Sequence, residues 1–210
     1  MHRMTPVRTS TLVLALFVAT STALSAQARF GVKGGAALAN MYGDAVGNVD
    51  LRKGLTGGLF VEIPTSSALS IQVEGLYTQK GAVETALIDL GGGVTLAEGT
   101  WEYDYVDVAG LLKGTFGSGS TRISIYGGPV FSVLMSAKAV GEGEEADIQD
   151  LTKSNDIGGA LGVSLEFSGG FLIDVRYSAG TTAFDEPPLD QIYARQHNVI
   201  SAMIGFVAGG

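Results

Sequence analysis

The segment Phe171–Gly180, FLIDVRYSAG, alternates between apolar and polar side chains and decides how the rest of the chain is interpreted. Successive side chains of an extended strand point to opposite faces, so Ile173 and Val175 share one face, while Asp174 and Arg176 share the other. A strand of about ten residues, tilted, is long enough to cross a bilayer. The segment therefore predicts a two-faced strand whose apolar side contacts either lipid or a core.

The same alternation recurs along the chain, and the segments between the alternating runs are by turns long and short. The eight predicted strands are 30–39, 55–63, 69–80, 101–116, 121–137, 157–167, 171–180 and 197–207. The long connections are 40–54, 81–100, 138–156 and 182–196. Within 81–100 the three glycines at 91–93 indicate a hairpin tip, whose flanks could extend both neighbouring strands. Such a pattern is typical of an antiparallel up-and-down barrel whose ends face different surroundings, and closure removes the two edges of an open sheet. We therefore expect an all-β fold, an eight-stranded antiparallel up-and-down transmembrane β-barrel, with a bulge at Pro129 because proline lacks an N–H.

The first 28 residues have the features of an export signal. Arg3 and Arg8 precede a short apolar run over 12–19, and small residues end at Ala28. A retained membrane anchor would need about 20 apolar residues, more than this run provides. The sequence thus predicts a cleaved signal peptide over 1–28 and a barrel domain over 29–210.

Composition excludes several classes of protein. The chain has 21 acidic and 13 basic residues and a net charge of −8, which disfavours nucleic acid as a partner. It contains no cysteine, so neither disulfides nor thiolate-bound metals are expected. The acidic segment 141–156 does not match the EF-hand spacing. We expect no metal and no cofactor.

Nine charged residues lie on the polar faces of the predicted strands, and their signs nearly balance. They are Lys33, Glu62, Glu74, Asp107, Lys113, Arg122, Glu166, Asp174 and Arg176. The polar faces are otherwise mostly Gly, Ala, Ser and Thr, which suits a narrow interior better than a wet surface. Because eight strands enclose little more than the space that side chains fill, we expect a buried charge network that braces the barrel. A narrow ion path along the same charges is the alternative.

Five short motifs resemble the small outer-membrane β-barrel domain family of PorT-like proteins. They are FGVKGG at 30–35, EGLYTQKG at 74–81, YVDVAGLLK at 105–113, YGGP at 126–129 and DVRYS at 174–178. The resemblance covers nearly all of residues 29–207. It implies an integral outer-membrane protein of a Gram-negative cell with the architecture of the small OmpA and OmpX barrels. It supplies no catalytic residues.

The expected partners follow from this setting. They are outer-membrane lipid and lipopolysaccharide, the barrel-assembly machinery during insertion, and an extracellular ligand at the long loops. Phe206 has the parity of the terminal aromatic residue that this machinery recognises, although it lies four residues before Gly210. We expect a monomer with a structural, surface-binding or adhesion role, because binding residues concentrate on loops held by rigid scaffolds.

Two other functions are compatible with the pattern. A soluble, lipocalin-like carrier has the same alternation with its faces exchanged, and would line an apolar ligand cavity with Ile173 and Val175. A lipid A hydrolase would need a nucleophile and a base, and His197 with Ser201 is the pair that the sequence offers. Within one strand their Cα atoms would be about 13 Å apart, so we expect His197 to be a rim residue and the protein not to be an enzyme.

Overall fold

The computed structural model describes residues 28–44, 49–89, 94–117, 119–141, 144–184 and 194–209. Within these residues the chain forms nine strands and one short 3-10 turn, Gln149–Leu151. The strands are β1 Arg29–Asp44, β2 Val49–Pro64, β3 Leu69–Asp89, β4 Val94–Phe116, β5 Thr121–Gly141, β6 Glu144–Asp147, β7 Asn155–Phe167, β8 Phe171–Gly180 and β9 Ala194–Ala208. No helix among the described residues is long and apolar enough to cross a membrane. The predicted signal peptide lies outside them except for Ala28, so its cleavage stays a prediction.

Eight of these strands form a closed ring in which every pairing is antiparallel. Strands β1 to β5 pair in chain order, β5 pairs with β7, and β7, β8 and β9 continue the ring until β9 pairs with β1. Strand β6 lies outside the ring and pairs with the end of β5. The predicted eight-stranded up-and-down barrel is confirmed. We call the end with the short connections 65–68, 117–120 and 168–170 the turn end, and the opposite end the loop end.

The ring closes with a stagger that can be followed from Lys33 on β1. Successive partners through β2 to β5 lead from Lys33 to Asp156 on β7. In the other direction, through β9 and β8, they lead to Glu166 on the same strand. The two positions are ten residues apart (166 minus 156), which is the shear of the barrel. A stagger of this kind requires strands tilted by about 35–45°, so interior neighbours come from distant parts of the sequence.

Side chains alternate between inside and outside along the barrel strands. On β8, Asp174 and Arg176 are buried, while Ile173 and Val175 are exposed on the outer surface. Large apolar side chains continue this outer band on the other strands, and the interior holds the charges. An apolar exterior around a polar interior is the arrangement of a barrel that contacts lipid. The lipocalin-like carrier required the opposite orientation of Ile173 and Val175.

The strands run well beyond the predicted segments at the loop end. Strands β3 and β4 remain paired through most of the predicted loop 81–100, β2 covers much of the second half of the loop 40–54, and β5 pairs with β6 inside the loop 138–156. Residues 81–89 do not alternate between apolar and polar side chains, so alternation alone does not show that the strand continues there. Three of the four predicted long loops are therefore largely sheet, and most of the fourth, 182–196, lies outside the described residues.

Pro129 lies within β5 without the bulge predicted for it, so that prediction is wrong. The register between β4 and β5 is the same on both sides of Pro129, and it shifts instead between Asp104 and Tyr105. Pro129 still pairs in register with Gly159 on β7. The missing N–H interrupts the ladder to β4 without inserting an extra residue.

Two interior glycines make room for aromatic rings. Gly162 pairs with Tyr126, whose ring occupies the place that a Cβ on Gly162 would need, and Gly31 does the same for Phe60. An aromatic ring laid over a glycine on the neighbouring strand is a recurring device in curved sheets. Here it aims the Tyr126 hydroxyl at Asp174, to which it donates a hydrogen bond of 2.6 Å.

Candidate functional site

The middle of the barrel is filled by the central cluster, which consists of Lys33, Glu74, Tyr126, Asp174 and Arg176. Lys33 Nζ lies 2.9 Å from Glu74 Oε2 and 3.5 Å from Asp174 Oδ2. Arg176 forms an ion pair with Glu74 Oε1 and donates from Nε to the Tyr126 hydroxyl at 3.3 Å. Two cations thus face two carboxylates, and the Glu74 side chain has 0% of its surface exposed. Charge balance and hydrogen bonding are what make such a buried ionic site tolerable.

The turn-end cluster consists of Arg29, Glu62, Lys113, Arg122 and Glu166. Lys113 Nζ lies 2.9 Å from Glu62 Oε2, and Arg29 Nη1 lies 3.5 Å from Glu62 Oε1. Arg29 and Arg122 both pair with the same oxygen, Glu166 Oε1. The side chains are largely buried except that of Arg122, which is 40% exposed. Three cations share two carboxylates at this end.

The loop-end cluster consists of Lys80, Asp107, Ser132, Asp156 and His197. Lys80 Nζ lies 3.0 Å from Asp107 Oδ1 and donates to Ser132 Oγ at 2.9 Å. Lys80, Asp156 and His197 contribute to the lining of a cavity of about 10 Å³, close to the ~10–15 Å³ that one water molecule needs. Neither ring nitrogen of His197 has a hydrogen-bond partner among the described residues. The cavity has the size of a single solvent site.

Aromatic side chains close the barrel above this cluster and form the aromatic cap, which consists of Tyr103, Tyr105, Phe184 and His197. Phe184, from the segment that follows β8, stacks on His197 with ring centroids 4.1 Å apart. Tyr103 meets His197 at 4.9 Å and Phe184 at 5.1 Å. Arg195 covers the Phe184 ring at 5.3 Å. The cap separates the interior charges from the loop end.

The position of His197 corrects one prediction and bears on another. His197 is 1% exposed within the cap, so it is not the rim residue that its place at a strand start predicts. Ser201 lies four residues further along β9, in register with Ala37 on one side and Arg176 on the other. The two candidate hydrolase residues therefore lie in different layers of the interior.

The structure distributes the nine predicted interior charges over the three clusters rather than in one network. Four lie in the central cluster, four in the turn-end cluster, and Asp107 pairs with Lys80 in the loop-end cluster. The sequence reasoning missed Arg29, Lys80 and Arg52, which also face the interior. Strand parity could have found Lys80, which shares a face with Glu74, and Arg52, which shares a face with Glu62.

The loop-end sheet is formed by residues 49–54, 81–89, 94–104, 136–141 and 144–147. Arg52 Nη2 pairs with Glu102 Oε1 at 3.1 Å, and Trp101 donates from Nε1 to Glu84 Oε2 at 3.0 Å. On its outer edge Lys138 donates to Glu145, and this hydrogen bond raises the pKa of the Lys138 ammonium above its usual value. These contacts hold the projecting ribbon as a defined surface.

Metal chemistry finds no support in this part of the chain. No group of three or more His, Asp or Glu side chains within the described residues is arranged to hold a metal ion. His197 and Lys80 line the same small cavity, and a lysine ammonium is a poor neighbour for a bound cation.

Comparisons with known proteins agree with the architecture. A family model described as outer membrane protein beta-barrel domain matches residues 20–185. A search of curated proteins finds no significant match to this chain.

Among solved structures, one similar barrel is Ail, the attachment invasion locus protein of Yersinia pestis, which was solved alone and with the heparin analogue sucrose octasulfate. Ail is 14% identical over 87% of this chain and 99% of its own, with a TM-score of 0.45. Neisserial surface protein A is 12% identical over 84% of this chain and 96% of its own, with a TM-score of 0.45. The N-terminal β-barrel domain of Pseudomonas aeruginosa OprF is 7% identical over 85% of this chain and 97% of its own, with a TM-score of 0.39. Since the family model spans most of the sequence, the chain belongs to the outer membrane protein beta-barrel domain family and is an eight-stranded barrel of the outer membrane.

Proposed function

We propose that this protein is a non-enzymatic surface-binding barrel, in which the closed interior is scaffold and the loop-end sheet is the binding surface. One observation carries the proposal: β3, β4 and β5 span 21, 23 and 21 residues, about twice the length that crossing the membrane requires. The excess is hydrogen-bonded sheet, so a large ordered surface stands outside the membrane. In barrels of this type the longer connections face the cell exterior.

The charge of this region indicates the kind of partner. The four segments 40–54, 81–100, 138–156 and 182–196 contain fourteen acidic and five basic residues, out of 21 and 13 in the whole chain. Several of the acids, such as Glu98, Glu144 and Asp150, are exposed. An acidic surface attracts cationic partners and repels anionic ones, an effect that extends about 8–10 Å at physiological salt. The partner is therefore a positively charged surface or protein.

The interior supports a scaffold rather than a pore or an enzyme. The central cluster and the aromatic cap occupy two levels of the interior, and the buried ion pairs link strands across it. The nucleophile–base pair required of a hydrolase is divided between two layers, with His197 in the cap and Ser201 beside Arg176. The narrower resemblance to PorT-like barrels rests on the five sequence motifs and is part of this proposal.

The test separates the hairpin from its charge. In one variant residues 84–99 are replaced by Asn-Gly, which leaves Val83 paired with Thr100. In the second, Glu98→Gln, Glu144→Gln and Asp150→Asn neutralise exposed acids and keep the sheet. Purified proteins in uncharged maltoside micelles are titrated against immobilised polylysine, with heat-modifiable gel migration as the control for an intact barrel.

Both variants are expected to migrate as folded barrels and to bind the polycation at least ten-fold more weakly than the wild-type protein. Undiminished binding by both would show that the loop-end sheet is not the binding surface. Loss in the shortened variant alone would still place the surface on the hairpin, with shape rather than charge as its basis.

A further inference from the structure

We propose that the turn-end mouth of the barrel is a binding site for an oxyanion, a carboxylate or phosphate group carried by a small periplasmic molecule or by a lipid headgroup. This site is at the opposite end of the molecule from the loop-end sheet and does not depend on the function proposed for that sheet. Because the loop end faces the cell exterior, the turn end opens on the periplasm.

A cavity of about 760 Å³ opens at this end. Its volume is in the range of about 300–1,000 Å³ that small-molecule sites occupy. Arg29, Arg122 and Glu166 form its charged wall, and the two turns 117–120 and 168–170 form much of its rim. Glycines at several rim positions, such as Gly119 and Gly169, leave the entrance clear of side chains.

The charges at this mouth do not balance. Among the described residues, the turn-end cluster has three cations and two carboxylates, and Glu166 serves two arginines through one oxygen. Glu62 does not neutralise the remaining cation, because it already pairs with Lys113 at 2.9 Å and lies 3.5 Å from Arg29. The central cluster next to it is already neutral within itself. Among the described residues, one positive charge is left at the wall of the cavity.

The exposed member of the cluster is the one suited to recognition. Arg122 is 40% exposed, whereas Arg29 and Glu166 are only 10% and 11% exposed. A guanidinium offers five N–H donors in a planar fork that fits carboxylate and phosphate oxygens, and Arg122 engages Glu166 through Nη2. The hydroxyls of Ser120 and Ser168, also in the lining, add neutral donors. The site is built for one oxyanion with room for the molecule that carries it.

The experiment uses the whole protein in uncharged maltoside micelles and two-dimensional NMR of the rim amides and arginine side chains. The probes are inorganic phosphate and acetyl-dialanine, which has one free carboxylate, and the C-terminal amide of the same peptide is the uncharged control. Saturable shifts at Gly119, Ser120 and Gly169 are expected with the carboxylate peptide or phosphate and not with the amide. Arg122→Gln is expected to weaken binding at least ten-fold.

Lys138→Gln is the matched control, since Lys138 is a similarly exposed, ion-paired cation at the loop end, and it should leave the affinity unchanged. Bilayer discs with and without phosphatidylglycerol separate the two sources. If the anionic lipid alone produces the rim shifts and blocks the peptide, the occupant is a headgroup; if it does neither, the occupant is soluble. Absence of saturable shifts with either probe, or equal affinity in Arg122→Gln with heat-modifiable migration retained, would overturn the proposal.

Discussion

Glu74 is the residue on which the central cluster depends, because it forms ion pairs with both cations of that cluster. Its replacement in Glu74→Gln removes one charge and leaves Lys33 and Arg176 facing a single carboxylate, Asp174. Breaking a buried ionic site in this way costs about 3–5 kcal/mol. We expect a correspondingly lower free energy of unfolding, measured by urea titration in detergent.

The exposed pair at the loop end provides the comparison for Glu74. Glu145→Gln breaks the ion pair between Glu145 and Lys138, whose side chains are 62% and 46% exposed, respectively. Because exposed ion pairs contribute little, the unfolding midpoint should barely change. Equal effects of Glu74→Gln and Glu145→Gln would mean that the central cluster contributes nothing special to stability.

Gly162 tests the aromatic packing of the interior. A methyl group in Gly162→Ala would collide with the Tyr126 ring and push its hydroxyl away from Asp174. Overpacking of this kind costs about 1–3 kcal/mol of folding stability. The Tyr126 hydroxyl should also lose its hydrogen bond to Asp174, which a shift of the Tyr126 NMR resonances would report. Gly159→Ala is the control on the same strand, because a Cβ there meets only an ordinary contact. It is expected to leave the stability and the Tyr126 hydrogen bond unchanged. A similar loss of stability in Gly159→Ala would indicate a general effect of alanine on the backbone of this strand.

Single residues also mark how far sequence alone could define the interior. Parity along each strand placed Asp174 and Arg176 on the inner face, and β8 has that arrangement. Parity does not give the height of a side chain in the barrel, which depends on the shear. The contact of Lys33 with Glu74 and Asp174 therefore could not be predicted, nor could the division of the charges into three clusters.

At the scale of elements, the segment that follows β8 acts as a plug through one side chain. Phe184→Ala removes the ring that stacks on His197, and truncation of a core phenylalanine costs about 3–5 kcal/mol. We expect lower stability and a large shift of the His197 ring protons by NMR. Liposomes should remain impermeable to sugars, because the central cluster still fills the barrel.

Phe206→Ala is the control for Phe184→Ala, since Phe206 lies on the outer surface of β9. The His197 resonances should not move in that variant. Sugar uptake by Phe184→Ala liposomes would show that the cap alone closes the interior and that the central cluster does not.

The lengths of the elements were the least predictable feature of the fold. The short turns were evident from composition, as at 65–68, and the alternating core of each strand was found. The ribbon of β3 and β4 beyond residue 81 was counted among the long connections, although the glycines at 91–93 indicated a hairpin tip there. Residues 81–89 do not alternate between apolar and polar side chains, so the period of two does not mark where β3 ends.

The whole molecule is organised by the contact of its outer band with lipid. Val175 lies near the centre of β8 on that band, and an arginine at mid-bilayer depth destabilises a barrel by about 2–4 kcal/mol. We expect Val175→Arg to lower folding stability in phospholipid vesicles by this amount and Val175→Leu to leave it unchanged. A neutral effect of the arginine would mean that this face does not meet the hydrocarbon.

The closure of the ring between β1 and β9 has a consequence for how the protein reaches its native state. Among the described strands, each ladder of the ring joins strands that are close in the sequence, with only β6 between β5 and β7, except the seam where β1 meets β9 across nearly the full length of the chain. Such a distant pairing is slow to form, because the chain entropy is lost before the contact is made. Until β1 pairs with β9, the sheet is open, and we expect Lys33, Glu74 and Asp174 to remain in contact with water. We therefore expect closure of the β1–β9 seam and removal of water from the interior charges to occur in the same step of folding.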